Sequence, residues 1–274
     1  MPRKTLMLLA LGLVLAPVLH AQTVDEILAR HYEARGGLEK LKALNSKRVT
    51  ETTTGPLNDT DSSTVERKRP AMFRTVMTTH GMTRVYACDG RRTWVVFPLG
   101  QSRPKVLNDQ ANKESLVDSD IEGPLVDYQS KGHTVELMGK EPVEGGDAYK
   151  LKVTKSYGKT EYDFLDAKTY LLVRTDTRDT IQNAFGDLKG AAGYNIVVDS
   201  RTTFSDYKDV DGYMEPFSMV RSDKGSPPVY KTTISKIELN VPLDDSLFAV
   251  PADADSTYMS EKGTTKKSSG KKKH

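Results

Sequence analysis

Apolar residues recur at helical spacing near the start of the chain and once near its middle; nearly everywhere else the pattern is that of strands. Val24, Ile27, Leu28 and Tyr32 fall on one helical face, and Leu38, Leu41 and Leu44 resume it after Gly36-Gly37. Thr23 is placed to cap the first segment, with Asp25 and Glu26 where the helix dipole favours negative charge. The pattern predicts a helix with a glycine break, its apolar side lying on another layer.

From Lys47 onward the chain reads as short strands: Val49–Thr54, Thr64–Lys68, Phe73–Thr79, Thr83–Cys88 and Thr93–Phe97, separated by turn signals such as Thr54-Gly55-Pro56 and His80-Gly81. Asp89-Gly90 between two strand-like runs predicts a β-hairpin. Leu107–Lys131 is a second helical region, broken or restarted at Pro124. Strands return over Thr134–Met138, Ala148–Thr154, Thr160–Leu165, Tyr170–Thr175, Ile196–Tyr207, Tyr213–Ser222 and Val229–Leu239, and Arg178–Tyr194 reads as a loop with a short helix. The turn signals between neighbours predict a meander in which each strand pairs with the next. The fold class is α+β, mostly β: one large curved antiparallel sheet with two or three helices against one face. A single domain from Gln22 to about Ala252 is expected, since no polar Pro/Gly-rich break divides the strand series.

Several strands are apolar on successive residues: Trp94-Val95-Val96-Phe97, Tyr170-Leu171-Leu172-Val173 and Ile196-Val197-Val198. A strand apolar on both faces needs cover on both. Ordinary core beneath the helices would supply it. So would a concave face left partly unfilled, as a receptor for an acyl chain or another hydrophobe.

The ends add an address. Arg3 and Lys4 precede an apolar run from Leu6 to Leu19, and His20-Ala21-Gln22 follows, the three-part pattern of a secretory signal cut after Ala21. The run holds Pro17 and is shorter than the roughly 18 apolar residues of a spanning helix. A soluble, exported, periplasmic protein is expected. With the signal's two positive charges removed and the six lysines and one glutamate of Glu261–His274 set aside, the formal charge of +3 becomes −4. This mildly acidic body argues against nucleic-acid binding. The Lys-Ser-Gly tail, Thr264–His274, has nothing to bury and is expected to be disordered. Cys88 is the sole cysteine, so no internal disulfide can form, and its place in an apolar strand predicts a buried, inert thiol.

Candidate chemistry is sparse. The five histidines are scattered, and no paired-cysteine, phosphate-loop, dinucleotide or nucleophile-elbow pattern occurs. Asp118-Ser119-Asp120 and Asp209-Val210-Asp211 do not complete a calcium loop. No metal site, cofactor or catalytic residue is nominated.

Three short patterns resemble the LolA-like family of periplasmic lipoprotein carriers: Lys68-Arg69-Pro70-Ala71-Met72-Phe73, Cys88-Asp89-Gly90-Arg91-Arg92-Thr93-Trp94, and the closing Leu243-Asp-Asp-Ser-Leu247-Phe248-Ala-Val250-Pro251. The opening Gly36-Gly37-Leu38-Glu39-Lys40-Leu41 is also similar to that of exported relatives. The resemblance implies an unclosed half-barrel with helices as a lid over an apolar cavity. It also implies a role in escorting lipid acyl chains or lipoproteins toward the outer membrane, with inner- and outer-membrane proteins as further partners. It places Arg69 at the lid and Phe73 at the cavity, and the candidate lipid-binding and lid residues are Arg69, Phe73, Met72, Trp94, Val96 and Leu125. Gln101–Lys131, Arg178–Tyr194 and the lysine tail depart from the compact members of that family. A lipid-responsive sensor of the same fold, and more remotely a cell-envelope enzyme, are the alternatives.

Overall fold

Thr23 opens the first helix as expected: its side chain accepts from the Glu26 amide, and the Glu26 carboxylate accepts from the Thr23 amide, a closed capping box. The structure is a computed structural model and describes residues 22–97, 103–184, 194–223 and 230–259. The expected signal, 1–21, and the tail from Thr264 lie outside the described residues.

Two helices, α1 (Val24–Ala34) and α2 (Leu38–Ala43), flank the Gly36-Gly37 break. The strands β1 (Ser46–Thr54), β2 (Thr60–Lys68), β3 (Met72–Thr79), β4 (Met82–Asp89), β5 (Thr93–Val96) and β6 (Lys105–Leu107) follow as one meander. Helix α3 (Asp109–Asp118) and a run of turns to Gly132 lead to the second meander. This comprises β7 (Thr134–Val143), β8 (Gly146–Thr154), β9 (Thr160–Asp166), β10 (Leu172–Ala184), β11 (Tyr194–Val210), β12 (Tyr213–Asp223) and β13 (Tyr230–Leu239). A 3₁₀ turn at Asp245–Leu247 precedes β14 (Asp255–Met259).

Together these form one open, curved, 14-stranded sheet, a half-barrel in the order β14-β6-β5-β4-β3-β2-β1-β13-β12-β11-β10-β9-β8-β7. The all-next-neighbour expectation holds within each meander and fails between them. β1 pairs with β13, joining the meanders at the centre, so β6 and β7 end far apart and the stretch between them must cross the sheet. β14 pairs in parallel with β6, beyond the expected end of the domain at Ala252. The Arg178–Tyr194 expectation is also corrected: β10 runs to Ala184 and β11 begins at Tyr194, so much of that stretch is strand. Its polar Arg-Asp-Thr composition hid the signal, because a polar run has no apolar alternation to display.

The apolar positions sort onto the two faces. On the concave face, Ile27 and Leu28 of α1 pack with Leu125, Val135, Leu151, Val153 and Leu165, while Leu41 and Leu44 of α2 pack with Val126 and Tyr213. α3 lies over β4 and β5, where Asn112 accepts from Thr93 and the Tyr86 and Ser115 hydroxyls meet at 2.5 Å. On the convex face the closing segment covers what the helices cannot. Ser46 Oγ and Lys68 Nζ donate to the carbonyls of Val241 and Leu243 at 2.5 and 2.7 Å, and Trp94 Nε1 donates to that of fully buried Phe248 at 3.0 Å. At Trp94 and Val95 the doubly apolar run is thus covered on both sides by the chain itself, while Phe97 at its end is exposed. Cys88 is fully buried, and burial pushes its thiol pKa up, away from reactivity.

Candidate functional site: a cavity beneath a latched lid

The stretch from Asp118 to Val126 crosses the concave face and is held there by four cations. Arg69, just past β2, donates through Nε to the Leu44 carbonyl at 2.7 Å, and through Nη2 to the Leu41 carbonyl at 3.4 Å and to the Glu122 carboxylate. Arg35 donates to the Glu122 carbonyl at 2.9 Å, and Arg67 to the Asp118 carbonyl at 2.8 Å. Lys131 pairs with the Asp120 carboxylate and reaches Glu122 at 3.4 Å. Glu122 is only 5% exposed, and these donors supply the hydrogen bonds that water would otherwise give it. The planar fork of an arginine can serve several acceptors at once, which lets Arg69 tie α2 to the crossing segment. Tyr32 adds a bond from its hydroxyl to the Leu125 carbonyl at 2.7 Å.

Below this lid lies a cavity of about 290 Å³. Ile121 lines it on the side of the crossing segment; Val49 and Val65 form one wall, and Met219, Ile234 and Ile237 the other. Four charged side chains interrupt the apolar lining: Lys47, Glu51, Arg67 and Glu215. Lys47 and Glu215 pair with each other at 2.7 Å. Burial lowers the pKa of Lys47 against the pull of Glu215, lowers that of Arg67, and raises that of Glu51.

The register decides where the candidate residues stand, since directly opposed residues of an antiparallel pair share a face. Arg69 bonds α2 and the crossing segment. Phe73 opposes Cys88 and Arg67 on the concave face, but its ring packs on Tyr86 (centroids 5.0 Å apart) beside α3 and does not line the cavity. Leu125 is buried in the core under α1. Trp94 opposes Ala87, which opposes Arg74, and Met72 and Val96 share that strand parity. These three therefore sit on the convex face, where the structure does not bring them to the cavity. The residues that do line it include Val49, Val65, Met219, Ile234 and Ile237, scattered over β1, β2, β12 and β13. Their only sequence signal was alternation, and the β1–β13 pairing that gathers them has no local signature.

A larger hollow of about 690 Å³ is lined by Lys150, Asp176, Arg178, Asp199, Arg201 and hydroxyl side chains. Its arginines are paired, Arg178 with Asp199 at 2.6 Å and Arg201 with Asp176 at 3.0 Å. Such a surface suits water better than an acyl chain.

Further along the concave face Asp163, 3% exposed, accepts from Thr175 Oγ1 at 2.7 Å beside Glu161, which is paired with Lys155 at 3.0 Å. Burial and the neighbouring Glu161 raise the Asp163 pKa from 3.8 to about 7. Because the folded state holds this proton more tightly, the contribution to stability is complete below the unfolded value and is lost as pH rises through about 7. Asp163→Asn is expected to raise the melting temperature above pH 7 and to flatten its fall on the way there. Melting curves of both proteins across that range check this, and an unchanged pH profile would refute it.

No sequence-family model and no curated protein matches the chain. Solved structures do. A domain assigned as an outer membrane lipoprotein-sorting protein from Vibrio parahaemolyticus superposes with a TM-score of 0.52 at 14% identity, covering 81% of this chain and 94% of that one. A LolA superfamily protein from Nitrosomonas europaea gives 0.51 at 16% identity, covering 84% and 98%, and a DUF1329 family protein from Desulfovibrio piger gives 0.51 at 14%, covering 82% and 97%. The chain shares the fold of these three structures over most of its length.

Proposed function

We propose that this protein is a non-catalytic periplasmic carrier that shelters the acyl chain of a lipid or lipoprotein between its lid and the concave face of its sheet. The cavity below Ile121 carries this reading: it is walled by Val49, Val65, Met219, Ile234 and Ile237 and roofed by a segment held through side-chain bonds. Its volume of about 290 Å³ is at the small end of ligand pockets, which run from about 300 to 1,000 Å³, so cargo entry goes with displacement of the lid. The benefit to the cargo is large, since each acyl CH₂ withdrawn from water is worth about 0.8 kcal/mol. The likeness of fold to a LolA superfamily protein and to a lipoprotein-sorting domain supports the same reading. The signal-like N-terminus supports delivery to the compartment where such cargo needs an escort.

Native mass spectrometry of the exported, processed protein tests it. Co-purified lipid mass, or uptake of a fluorescent fatty acid, is the expected result. A clean apo mass with no uptake of the probe would reject carriage.

A further inference from the structure

Resting on that carrier reading, we infer that the cavity takes an amphiphile whose head group presents an ammonium or N–H donor, held by Glu51. Three rungs of the β1–β2 ladder define the concave wall. Lys47 opposes Arg67, Val49 opposes Val65, and Glu51 opposes Ser63. The middle rung is the apolar belt, and the first and third are polar layers, each about 7 Å from it along the strands.

The two polar layers differ in what they have to spare. In the layer beneath the lid, Lys47 is paired with Glu215 and Arg67 donates to the Asp118 carbonyl. In the other, Glu51 is half-buried and has no hydrogen bond or ion pair among the described residues, although it lines the cavity beside Ile234. Ser63, directly across from it, is 3% exposed, and its hydroxyl is buried with no partner. Ser63 does not line the cavity, so the unpaired Glu51 carboxylate on its wall is the polar group left to meet a ligand. The surrounding polar groups are occupied: Thr53 bonds Thr232 at 2.8 Å, and Asp61 bonds Thr79.

The chemistry of that carboxylate sets the ligand: ionised, it only accepts, so the complementary head is a donor. A cation adds the compensation that a half-buried carboxylate lacks, whereas a fatty-acid carboxylate gains nothing from Glu51 and binds more weakly. Burial already raises the Glu51 pKa, which is the signature of a charge without its counter-ion. An alkyl chain attached to that head would run along Val49 and Val65 toward Ile121 under the lid.

Calorimetric titration of the full-length processed protein with monomeric dodecylamine, dodecanoate and 1-dodecanol is the test. The wild type is expected to bind the amine about tenfold more tightly than the acid, the size of one charge-assisted hydrogen bond. Glu51→Gln, which keeps the shape, should bring that ratio close to one and leave dodecanol binding unchanged. If the acid and alcohol bind but the amine has no advantage, or if Glu51→Gln leaves the ratio intact, the head-group assignment fails and carriage stands. If none of the three binds, carriage itself fails.

Discussion

Arg69→Leu is expected to release the lid. The substitution removes donors from the Leu41 and Leu44 carbonyls and from the Glu122 carboxylate, leaving that buried group with Lys131 at 3.4 Å. Hydrogen bonds to charged groups contribute about 1.5–3 kcal/mol each. Arg69 is 31% exposed, so water takes over part of this loss and a net weakening of the closed lid by about 2 kcal/mol is the reasonable scale. That corresponds to roughly a 30-fold shift toward the open lid. Hydrogen exchange should then accelerate over Leu41–Leu44 and Glu122–Val126 but not over the sheet, and lipid should transfer to acceptor vesicles at a changed rate. Arg69→Lys should give most of the same effect, since a point charge on a flexible stem cannot span three acceptors. Unchanged exchange and unchanged transfer in Arg69→Leu would remove the latch from the mechanism.

The second large effect is structural. Gly36→Ala should destabilise the protein by about 2–4 kcal/mol, combining a left-handed backbone penalty of about 1–2 kcal/mol with overpacking. Gly36 has φ +113°, and a Cβ there would stand 2.1 Å from the Gly212 carbonyl oxygen in the β11–β12 turn. Both sides of that contact are backbone, so neither can swing aside. The expected fall in melting temperature is roughly 4–16 °C. Gly37→Ala is the internal control: its φ is +103°, but nothing lies within 4 Å of the added carbon, so only the backbone penalty applies. Equal losses from the two variants would show that the contact with Gly212 is unimportant. The joint is where α1 turns into α2 against the sheet, and Met214 of β12 donates to the Arg35 carbonyl beside it, so loosening it also loosens the support of the lid.

Much of the candidate site could be read only in pieces. Arg69 was visible because it sits in a compact Lys-Arg-Pro pattern, and it bonds α2 and the crossing segment. Glu122, its principal partner, was not: a glutamate in a polar stretch looks solvated, and only the crossing of the sheet by that stretch buries it. Trp94 and Val96 looked like cavity residues because strong apolar character marks burial without saying which face is buried. The register sends them outward, under the segment that ends at Phe248. Glu51 was an unremarkable member of a Thr-rich strand until the fold set it on the cavity wall.

What the sequence determined by itself were the local elements: the capped first helix and its glycine break, the Asp89-Gly90 hairpin, most strands, and the need for cover on both faces at Trp94. These follow from interactions a few residues apart, so period, capping and turn chemistry suffice to specify them. Only the tertiary structure decided that β1 pairs with β13, that the stretch after α3 becomes a roof, and which apolar residues face the cavity. Those outcomes depend on contacts between residues as distant as Val49 and Ile237, whose free energy comes from burying one surface against another and leaves no mark in either segment alone.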